Sequence, residues 1–284
     1  MINKIKQRFK ILIHVVKSVV KRNKIILSSH GLKIKEGKVN LHWWAMNKNG
    51  YNVGDYLSYI VVEWMKNRNG ITDDTSKSGK TVHLYGIGSI IGAGFQNATI
   101  WGSGIIRDNG KKFWWRVFRK LDIRCVRGPL TRKKLLDNGY ECPEIYGDPG
   151  LLMPLIYNPE KPEDKEDYLI VAHYSHSLEY NNVISTIADD YKKFVDAIVS
   201  SKKVISTSLH GVILAEAYGV PAIWVQTNNV DMFKVDDYYA GTGRSDIVYA
   251  NSVEEALSMT PPQIPDFTKI QNELINAFPV DLWK

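Results

Sequence analysis

Short runs rich in β-branched and aromatic residues alternate with helical stretches, and this alternation constrains the fold more than any other feature of the sequence. It is typical of an α/β fold with parallel sheets, because each strand returns to its sheet through a crossover helix. We predict strands at 39–45, 82–88, 99–105, 124–128, 144–150, 167–175, 203–208, 220–227 and 246–250. We predict helices at 56–66, 130–138, 189–201, 209–219, 252–259 and 265–278.

Residues 158–167 (NPEKPEDKED) are the best linker in the sequence, because they are rich in proline and charge and contain no apolar residue. They divide the chain into a basic N-terminal segment at 1–35 and two α/β domains at 36–157 and 168–284. In parallel sheets, ligands bind at the carboxyl ends of the strands. We therefore expect the functional site in a cleft between the two domains.

Positive charge is concentrated in the first half of the 284-residue chain. Residues 1–150 contain 27 Lys and Arg against 11 Asp and Glu, and residues 151–284 contain 10 against 19, for a net charge of +7. This uneven distribution of charge indicates that the first half of the chain faces an anionic partner. Nucleic acid, a membrane surface and a phosphorylated substrate all fit.

Two segments carry much of this charge. Residues 1–24 contain eight basic residues and no acidic one. Their apolar residues share one helical face, which favours an amphipathic helix on an anionic lipid surface over a secretory signal. A helix packed on the domain is the alternative. Residues 111–120 combine tryptophan with lysine and arginine, which fits a lipid interface and a single-strand nucleic-acid groove equally well.

Several classes of protein and site are excluded by what the sequence lacks. Cys125 and Cys142 are too few for a disulfide scaffold or a four-thiolate zinc site. No uncharged apolar run of about 18 residues is present to cross a bilayer. His173 and His176 have no carboxylate or cysteine at ligand spacing, so we predict no metal site. WGSG and YGIG lack the rest of a dinucleotide or ATP motif.

Three strand-to-helix junctions carry polar residues that a simple turn does not need. At the first, Gly54 lets the backbone approach a ligand and the following helix offers N–H groups to an anion. Asp55 capping that helix is an equally good interpretation. At the second, the guanidinium of Arg127 suits a carboxylate or phosphate, with a surface ion pair as the alternative.

The third junction, residues 206–211, places hydroxyl groups and His210 at the start of an apolar helix, which suits a phosphorylated ligand. A purely structural histidine is the alternative. The helix dipole lowers the pKa of His210 and a bound dianion raises it. We therefore predict that His210 donates a proton only when an anionic substrate is bound. His173, at the end of its strand, is predicted to contact substrate.

Seven stretches carry a family resemblance and occur in the family's order over roughly residues 40–245: NVGDYLSYIVVEW, IWGSGI, RCVRGPLTRKKLLDNGY, YGDPGLLMP, VAHYS, STSLHGVILAEAYGVPAIWV and FKVDDYYAGTGR. This ordered set resembles the polysaccharide pyruvyl transferase family. The resemblance implies two Rossmann-like domains facing a cleft in a GT-B-like arrangement. It also implies transfer of the enolpyruvyl group of phosphoenolpyruvate onto two sugar hydroxyls, which forms a cyclic ketal and releases phosphate.

The resemblance also implies the site residues. Arg127 and His210 match the family's donor site, and Asp55 and Arg244 match other cleft positions. In the implied mechanism His210 is the general acid, Arg127 holds the anionic donor and Asp55 accepts a hydroxyl proton. The residues expected to bind substrate are Asn52, Gly54, His173, Ser208, Leu209, Gly211 and Arg244. Neither a metal nor an organic cofactor is implied, because phosphoenolpyruvate is a co-substrate.

The resemblance gives the basic segment a role as well. Acceptors in such pathways are often lipid-linked saccharides, so we expect a cytoplasmic protein held on the inner face of the cytoplasmic membrane through residues 1–24. Nucleic acid is not an expected partner. Two alternatives remain open: a GT-B-type nucleotide-sugar glycosyltransferase, and a non-catalytic module that binds polyanions or membranes.

Overall fold

The structure, a computed structural model, describes residues 34–44, 50–94, 96–227, 232–245 and 247–284. Its framework is two four-stranded sheets in which all neighbouring strands are parallel. This confirms the predicted mixed α/β class with parallel sheets. The predicted segment 1–24 lies entirely outside the described residues, as does the predicted segment 1–35 except for residues 34 and 35. Within the described ranges, no helix is both long and apolar enough to cross a membrane.

The elements follow one another in the alternating order expected of such a fold. The strands are β1 Val39–His42, β2 Tyr51–Asn52, β3 Val82–Tyr85, β4 Ala98–Trp101, β5 Leu121–Cys125, β6 Leu169–Ala172, β7 Val183–Ser185, β8 Ile187–Ala188, β9 Val204–Ser206 and β10 Ala222–Trp224. The α-helices are α1 Val53–Arg68, α2 Pro129–Asp137, α3 Met153–Ile156, α4 Tyr191–Val199, α5 Leu209–Ala217, α6 Phe233–Gly241, α7 Val253–Ser258 and α8 Thr268–Asn276.

The two sheets lie in different halves of the chain. The first has the order β1-β3-β4-β5 and the second the order β10-β9-β6-β7. β4 and β6 are buried at every position, which is typical of parallel strands covered on both faces. The short antiparallel pair β2–β8 connects the halves, with Tyr51 opposite Ala188 and Asn52 opposite Ile187.

Polar side chains at the first unpaired N–H groups fix where several helices begin. The side-chain oxygen of Asn52 accepts from the N–H of Gly54 at 3.2 Å at the start of α1. Ser252 accepts from the N–H of Glu255 at 3.1 Å at the start of α7, as its sequence predicts. Each of these oxygens replaces an acceptor that the helix cannot supply at its first turn.

Two predicted strands are wrong. In 144–150, only Tyr146 pairs, through a single bridge to Val126, and a 3₁₀ helix follows at Pro149–Leu152. Proline lacks the N–H that a strand ladder requires, and Asp148 instead caps the turn by accepting from Gly150 N at 2.9 Å. The described residues 247–250 contribute only the bridge between Ala250 and Val225.

Both halves contribute to one apolar core. Leu57 and Trp101 from the first half and Val171 and Phe278 from the second belong to the same buried cluster. The indole nitrogen of Trp101 donates to the carbonyl of Leu274 at 2.9 Å, so the C-terminal segment packs on the first sheet. The domain boundaries at 36–157 and 168–284 stay a prediction.

Candidate active site

A pocket of about 770 Å³ lies where the carboxyl ends of the two parallel sheets meet. Segments that follow β3, β4 and β5 form one side, and segments that follow β6 and β9 form the other, with the first turn of α1 between them. This is the position that parallel sheets favour for ligands. Its polar lining includes Asn52, Asp55, Ser89, Arg127, His173, Ser208, His210 and Lys234.

Most of the predicted site residues come together here. Those that line the pocket are Asn52, Asp55, Arg127, His173, Ser208, Leu209 and His210. Gly54 and Gly211 lie behind this lining, where each allows a close approach of neighbouring groups. Arg244 is not among the residues that line the pocket. Residues of all three junctions therefore line one pocket, and their roles in binding and catalysis stay predictions.

Asp55 lies in the first turn of α1 but does not cap it, because Asn52 performs that role. Its carboxyl is thus available to the pocket. Burial raises the pKa of Asp55 to about 7; the charge of Lys234 opposes this shift and the charge of Asp148 adds to it. A carboxyl with this pKa is able both to donate and to accept a proton near neutral pH.

His210 lies in the first turn of α5 and packs against Gly54 of α1. A Cβ atom at Gly54 would lie 2.0 Å from Nδ1 of His210, so no other residue fits there without displacing the imidazole. Burial lowers the pKa of His210 to about 3, and the charges of Lys234, Arg127 and His173 add to this effect. The imidazole is therefore neutral while no anion is bound. The close approach indicates that Gly54 positions His210, and a ligand contact of Gly54 stays a prediction.

Asp148 is the nearest acidic neighbour of His210. Its Oδ2 lies 3.8 Å from Nε2 of His210, and within the described part of the chain neither atom has a hydrogen-bond partner. Burial raises the pKa of Asp148 to about 6, although the hydrogen bond from the N–H of Gly150 and the charge of Arg127 both lower it. The two groups lie close enough for a proton on the imidazole to be stabilised by the carboxylate.

Arg127 ends the segment after β5 and its side chain is 1% exposed. Nε and Nη2 contact Oδ2 of Asp237 at 3.2 and 3.1 Å, Nη2 donates to the carbonyl of Ile105 at 2.8 Å and Nη1 donates to Ser89 Oγ at 2.7 Å. A guanidinium has five N–H groups. These bonds leave one Nη1 hydrogen for a ligand, so Arg127 offers a charge and a single hydrogen bond rather than a two-pronged grip.

The start of α5 presents backbone donors to the pocket. Ser208 is its N-cap residue but makes no side-chain capping bond, and Ser208 and Leu209 line the pocket. Ser206 Oγ instead accepts from the N–H of Ser208 at 3.0 Å and holds the turn. A Cβ atom at Gly211 would lie 2.3 Å from Ser206 Oγ, so Gly211 lets α5 start close to β9. The first N–H groups of a helix are a site for anions.

His173 and Lys234 complete the polar lining from the second half of the chain. Burial lowers the pKa of His173 to about 4, with contributions from Lys234 and His176, and its Nδ1 lies 2.7 Å from Ser175 Oγ. Burial also lowers the pKa of Lys234, and the charge of Arg127 adds to this shift. Arg127 and Lys234 therefore repel each other, and an anion between them relieves that repulsion.

Arg244 lies apart from the pocket and contacts other groups. Its two Nη atoms donate to the two carboxylate oxygens of Glu216 at 2.7 Å each, and its guanidinium stacks over the ring of Tyr239 at 4.6 Å. Glu216 also accepts from the hydroxyl of Tyr238 at 2.6 Å. Arg244 thus neutralises a buried carboxylate of α5, and its predicted substrate contact finds no support in this geometry.

The sequence alone did not identify Ser89 and Lys234, which line the pocket, or Asp148, which lies behind His210. Asp148 and Lys234 do occur in the stretches YGDPGLLMP and FKVDDYYAGTGR that carry the family resemblance. A charged residue inside an otherwise apolar or aromatic stretch was the signal that could have identified both residues. Ser89 carried no such signal.

The arrangement combines fixed positive charge with groups that exchange protons. Arg127 and Lys234 attract an anion, the N-terminus of α5 adds N–H donors, and Asp55 holds a proton in part of the molecules at neutral pH. Such a pocket suits a small ligand with several negative charges and a carbon or oxygen atom that must be protonated.

Comparisons with known proteins give one family match and two similar proteins. Residues 52–229 match the family described as polysaccharide pyruvyl transferase. An uncharacterized protein of Acanthamoeba polyphaga mimivirus is 24% identical over 229 residues, which is 75% of this chain and 77% of that protein. The crystal structure of a functionally uncharacterized protein from Klebsiella pneumoniae is 16% identical, covers 78% of this chain and 92% of its own, and has a TM-score of 0.46.

The family match extends over more than half of the chain and contains Asp55 of α1, Arg127 in the segment after β5 and His210 of α5. Residues 1–51 and 230–284 lie outside the match. On this match, the chain is a transferase that belongs to the polysaccharide pyruvyl transferase family.

Proposed function

We propose that the chain forms pyruvate ketals, moving the enolpyruvyl carbons of phosphoenolpyruvate onto two hydroxyls of a sugar and releasing phosphate. The observation that supports this most directly is the combination of two cations, Arg127 and Lys234, with Asp55, whose pKa is about 7. Phosphoenolpyruvate requires cations for its carboxylate and phosphate, and a proton for its methylene carbon.

The donor is held by its charges. We assign the phosphate to the N–H groups at the start of α5 and the hydroxyl of Ser208, because helix N-termini suit phosphate. The carboxylate then lies between Lys234 and the remaining Nη1 hydrogen of Arg127. The incoming negative charge raises the pKa of His210 and strengthens its contact with Asp148.

The reaction needs two additions to one carbon. The protonated carboxyl of Asp55 gives its proton to the methylene carbon, whose double-bond electrons form the new C–H bond, and C2 gains oxocarbenium character. The first sugar hydroxyl bonds to C2 and returns a proton to Asp55. The C2–O bond to phosphate then breaks with its electron pair on oxygen, and the second hydroxyl closes the ring.

The proton of the second hydroxyl passes through His210 to the departing phosphate. The proton of the first hydroxyl has then replaced the proton that Asp55 gave to the methyl group. The proton of the second hydroxyl leaves on hydrogen phosphate. In this scheme Asp55 protonates carbon and His210 serves the leaving group, because before the donor binds Asp55 holds a proton near neutral pH and His210 does not. Positioning and electrostatic stabilisation supply most of the rate.

The rest of the proposal concerns the acceptor and its location. Two parallel sheets whose carboxyl ends meet at one pocket support a GT-B-like arrangement of two Rossmann-like domains. We propose that the acceptor is a saccharide of a surface polysaccharide or its lipid-linked precursor, reached from the cytoplasmic face of the membrane.

Donor identity is tested by thermal unfolding with phosphoenolpyruvate and with UDP-sugars. Phosphoenolpyruvate should raise the unfolding temperature in proportion to the logarithm of its concentration, and UDP-sugars should not. The reverse result would favour a nucleotide-sugar glycosyltransferase. Polyanion binding that survives both His210→Ala and Arg127→Ala, with no response to phosphoenolpyruvate, would favour a non-catalytic module.

Product formation is tested by mass spectrometry of the host's surface glycan with and without this protein. The repeat unit should lose the mass of one pyruvate ketal when the protein is absent. Complementation with wild-type protein should restore that mass and His210→Ala should not. An unchanged glycan in the deletion strain would contradict the proposal.

A further inference from the structure

We propose that residues 106–120, here called the mouth segment, dock the protein on an anionic lipid surface with Val117 and Phe118 in the interface. The segment runs from the pocket wall through a 3₁₀ helix at Trp114–Val117 to the start of β5. This inference does not depend on the proposed reaction, nor on residues 1–24, which lie outside the described part of the chain.

In the fold, some aromatic and basic residues of the mouth segment are buried and others are exposed to solvent. Trp115 is 6% exposed and stacks on Phe113 with ring centres 4.5 Å apart. Arg119 is fully buried and donates to the carbonyls of Ile91 and Gln96 at 2.5 and 2.8 Å. Some of the basic and aromatic side chains that the sequence predicts to contact a partner thus help to build the wall of the pocket.

Apolar side chains occupy the outside of the same segment. Val117 is 91% exposed, Ile106 is 53% exposed and Phe118 is 50% exposed. An aliphatic side chain almost fully in water at the tip of a one-turn helix contributes nothing to the core. Burying it in a lipid interface removes apolar surface from water.

The exposed charges around these side chains have one dominant sign. Arg107, Lys111, Lys112 and Lys120 are exposed. The acidic residue in 106–120, Asp108, is paired with Lys134 of α2. Lysine and arginine beside exposed apolar residues are typical of interfacial segments, because the cations contact lipid phosphates while the apolar groups enter the interface.

The choice between lipid and nucleic acid follows from which rings are accessible. Single-stranded nucleic acid binds by stacking bases on exposed aromatic faces. Phe113 and Trp115 stack on each other, and Phe118 is a half-exposed ring. Val117 beside it is 91% exposed and has no ring. The most exposed apolar side chain therefore suits lipid rather than a base.

Docking through this surface also orients the pocket. Ile106, Arg107, Lys111, Lys112 and Trp115 belong to the mouth segment and line the pocket as well. A bilayer that contacts the segment therefore lies at the pocket entrance. A substrate held at the lipid surface then reaches Asp55 and His210 without leaving the membrane.

The test places a polarity-sensitive fluorophore at the proposed contact in the full-length chain. Val117→Cys is labelled with a nitrobenzoxadiazole maleimide, and Val248→Cys, a valine that is 67% exposed in the second half, is the matched control. The natural cysteines, Cys125 and Cys142, are buried and react slowly with the label. Each protein is mixed with vesicles of phosphatidylglycerol and phosphatidylcholine, with pure phosphatidylcholine vesicles, and with oligo(dT).

We expect the label at 117 to shift to the blue and to be protected several-fold from iodide quenching by the phosphatidylglycerol vesicles only. The label at 248 should not change. Lys111→Glu with Lys112→Glu should reduce the shift at 117 several-fold, whereas the same charge change at Lys193 and Lys269, exposed on α4 and α8, should not.

Three results would overturn the inference. One is an unchanged label at 117 with excess anionic vesicles, and another is an equal response at 248. The third is a shift caused by oligo(dT) and not by vesicles, which would assign the segment to nucleic acid. Because the label reports only its own surroundings, binding through residues 1–24 alone gives the first of these results.

Discussion

Asp55 and His210 face the same pocket, and burial displaces their pKa values in opposite directions, to about 7 and about 3. In both cases the low-polarity surroundings disfavour the charged form. Without a bound anion, the pocket thus presents a neutral imidazole, a partly protonated carboxyl and the charges of Arg127 and Lys234. A small polyanion reverses the local field and raises both pKa values, which prepares both groups to carry protons.

The first prediction is that Asp55→Asn removes turnover and stabilises the fold above neutral pH. Loss of a positioned acid lowers kcat by about 10²–10⁴-fold. The pKa of Asp55 is raised from 3.8 to about 7 in the fold, so the unfolded chain releases this proton at a lower pH than the folded one. The stability therefore falls as pH rises from about 4 to about 7, and the full cost is present above pH 7. At pH 8 the variant should gain about 1–3 kcal/mol in the free energy of unfolding, and at pH 4 no such gain.

Urea unfolding at both pH values and phosphate release measure these effects. Asp164→Asn, an exposed residue of the linker, is the control and should change neither. For the wild type, kcat/KM for phosphoenolpyruvate should fall as pH rises through about 7, because Asp55 ionises. Equal stability of Asp55→Asn and wild type at both pH values would contradict the assignment.

The second prediction concerns the glycine that positions His210. Gly54→Ala places a Cβ atom 2.0 Å from Nδ1 of His210, so the imidazole must move. Phosphate release should fall by about 10²-fold or more, the range for loss of a positioned acid or base. Gly86→Ala is the matched control, because its Cβ atom would meet Ser58 at an ordinary 3.5 Å. If the two variants have equal activity, Gly54 does not position the histidine.

At the scale of secondary structure elements, α6 connects the two halves of the site. Lys234 and Asp237 lie three residues apart on one face of α6, so Lys234 reaches the pocket while Asp237 holds Arg127. Asp237 also accepts from the N–H and the hydroxyl of Thr131 in α2, at 2.8 and 2.6 Å. One helix of the second half thereby fixes a cation of the first.

The third prediction is that Asp237→Ala destabilises the protein by about 3–5 kcal/mol, because it leaves the guanidinium of Arg127 buried without its counter-ion. The matched control is Asp167→Ala, which removes an exposed ion pair with Lys202 and should cost less than about 1 kcal/mol. Urea unfolding measures both. Similar losses for the two variants would mean that the buried pair contributes no more than a surface pair.

The same elements show what the sequence can predict. Asp55, Arg127 and His210 follow strands, and the rule that ligands bind at carboxyl ends was enough to bring them together. Asp148 and Lys234 do not directly follow a strand of either sheet, and the helix that carries Lys234 was not predicted. The partner of Arg127 is 110 residues away in the sequence. Such pairings depend on tertiary packing, which periodicity and spacing do not encode.

At the scale of the whole molecule, the C-terminal segment ties the halves together. Asp281 accepts from Arg124 of β5 through two bonds of 2.9 and 2.7 Å, and Gln271 of α8 donates to the carbonyl of Leu151 at 2.8 Å. Trp101 of β4 contacts Phe278 edge to face with ring centres 5.0 Å apart. These contacts join the first sheet to residues more than a hundred positions later.

The fourth prediction follows from this shared core: cutting the chain in the exposed segment 158–167 should not separate the halves. A protease site inserted there leaves the apolar cluster and the contacts of Asp281 and Trp101 intact. After cleavage, both fragments should elute together from a size-exclusion column in the volume of the uncut protein. Domains that bury little surface against each other would dissociate on dilution.

The matched experiment combines the cleavage site with Arg124→Ala and Trp101→Ala. Removing these contacts weakens the attachment of the C-terminal segment to the first sheet, so the cut fragments should now separate at concentrations where the cut parent stays whole. The pocket lies between the halves, so phosphoenolpyruvate should shift the variant back toward the intact form by binding only the assembled pocket. Separation of the cut parent without these substitutions would show two independent domains, because a continuous core cannot be divided by breaking one peptide bond.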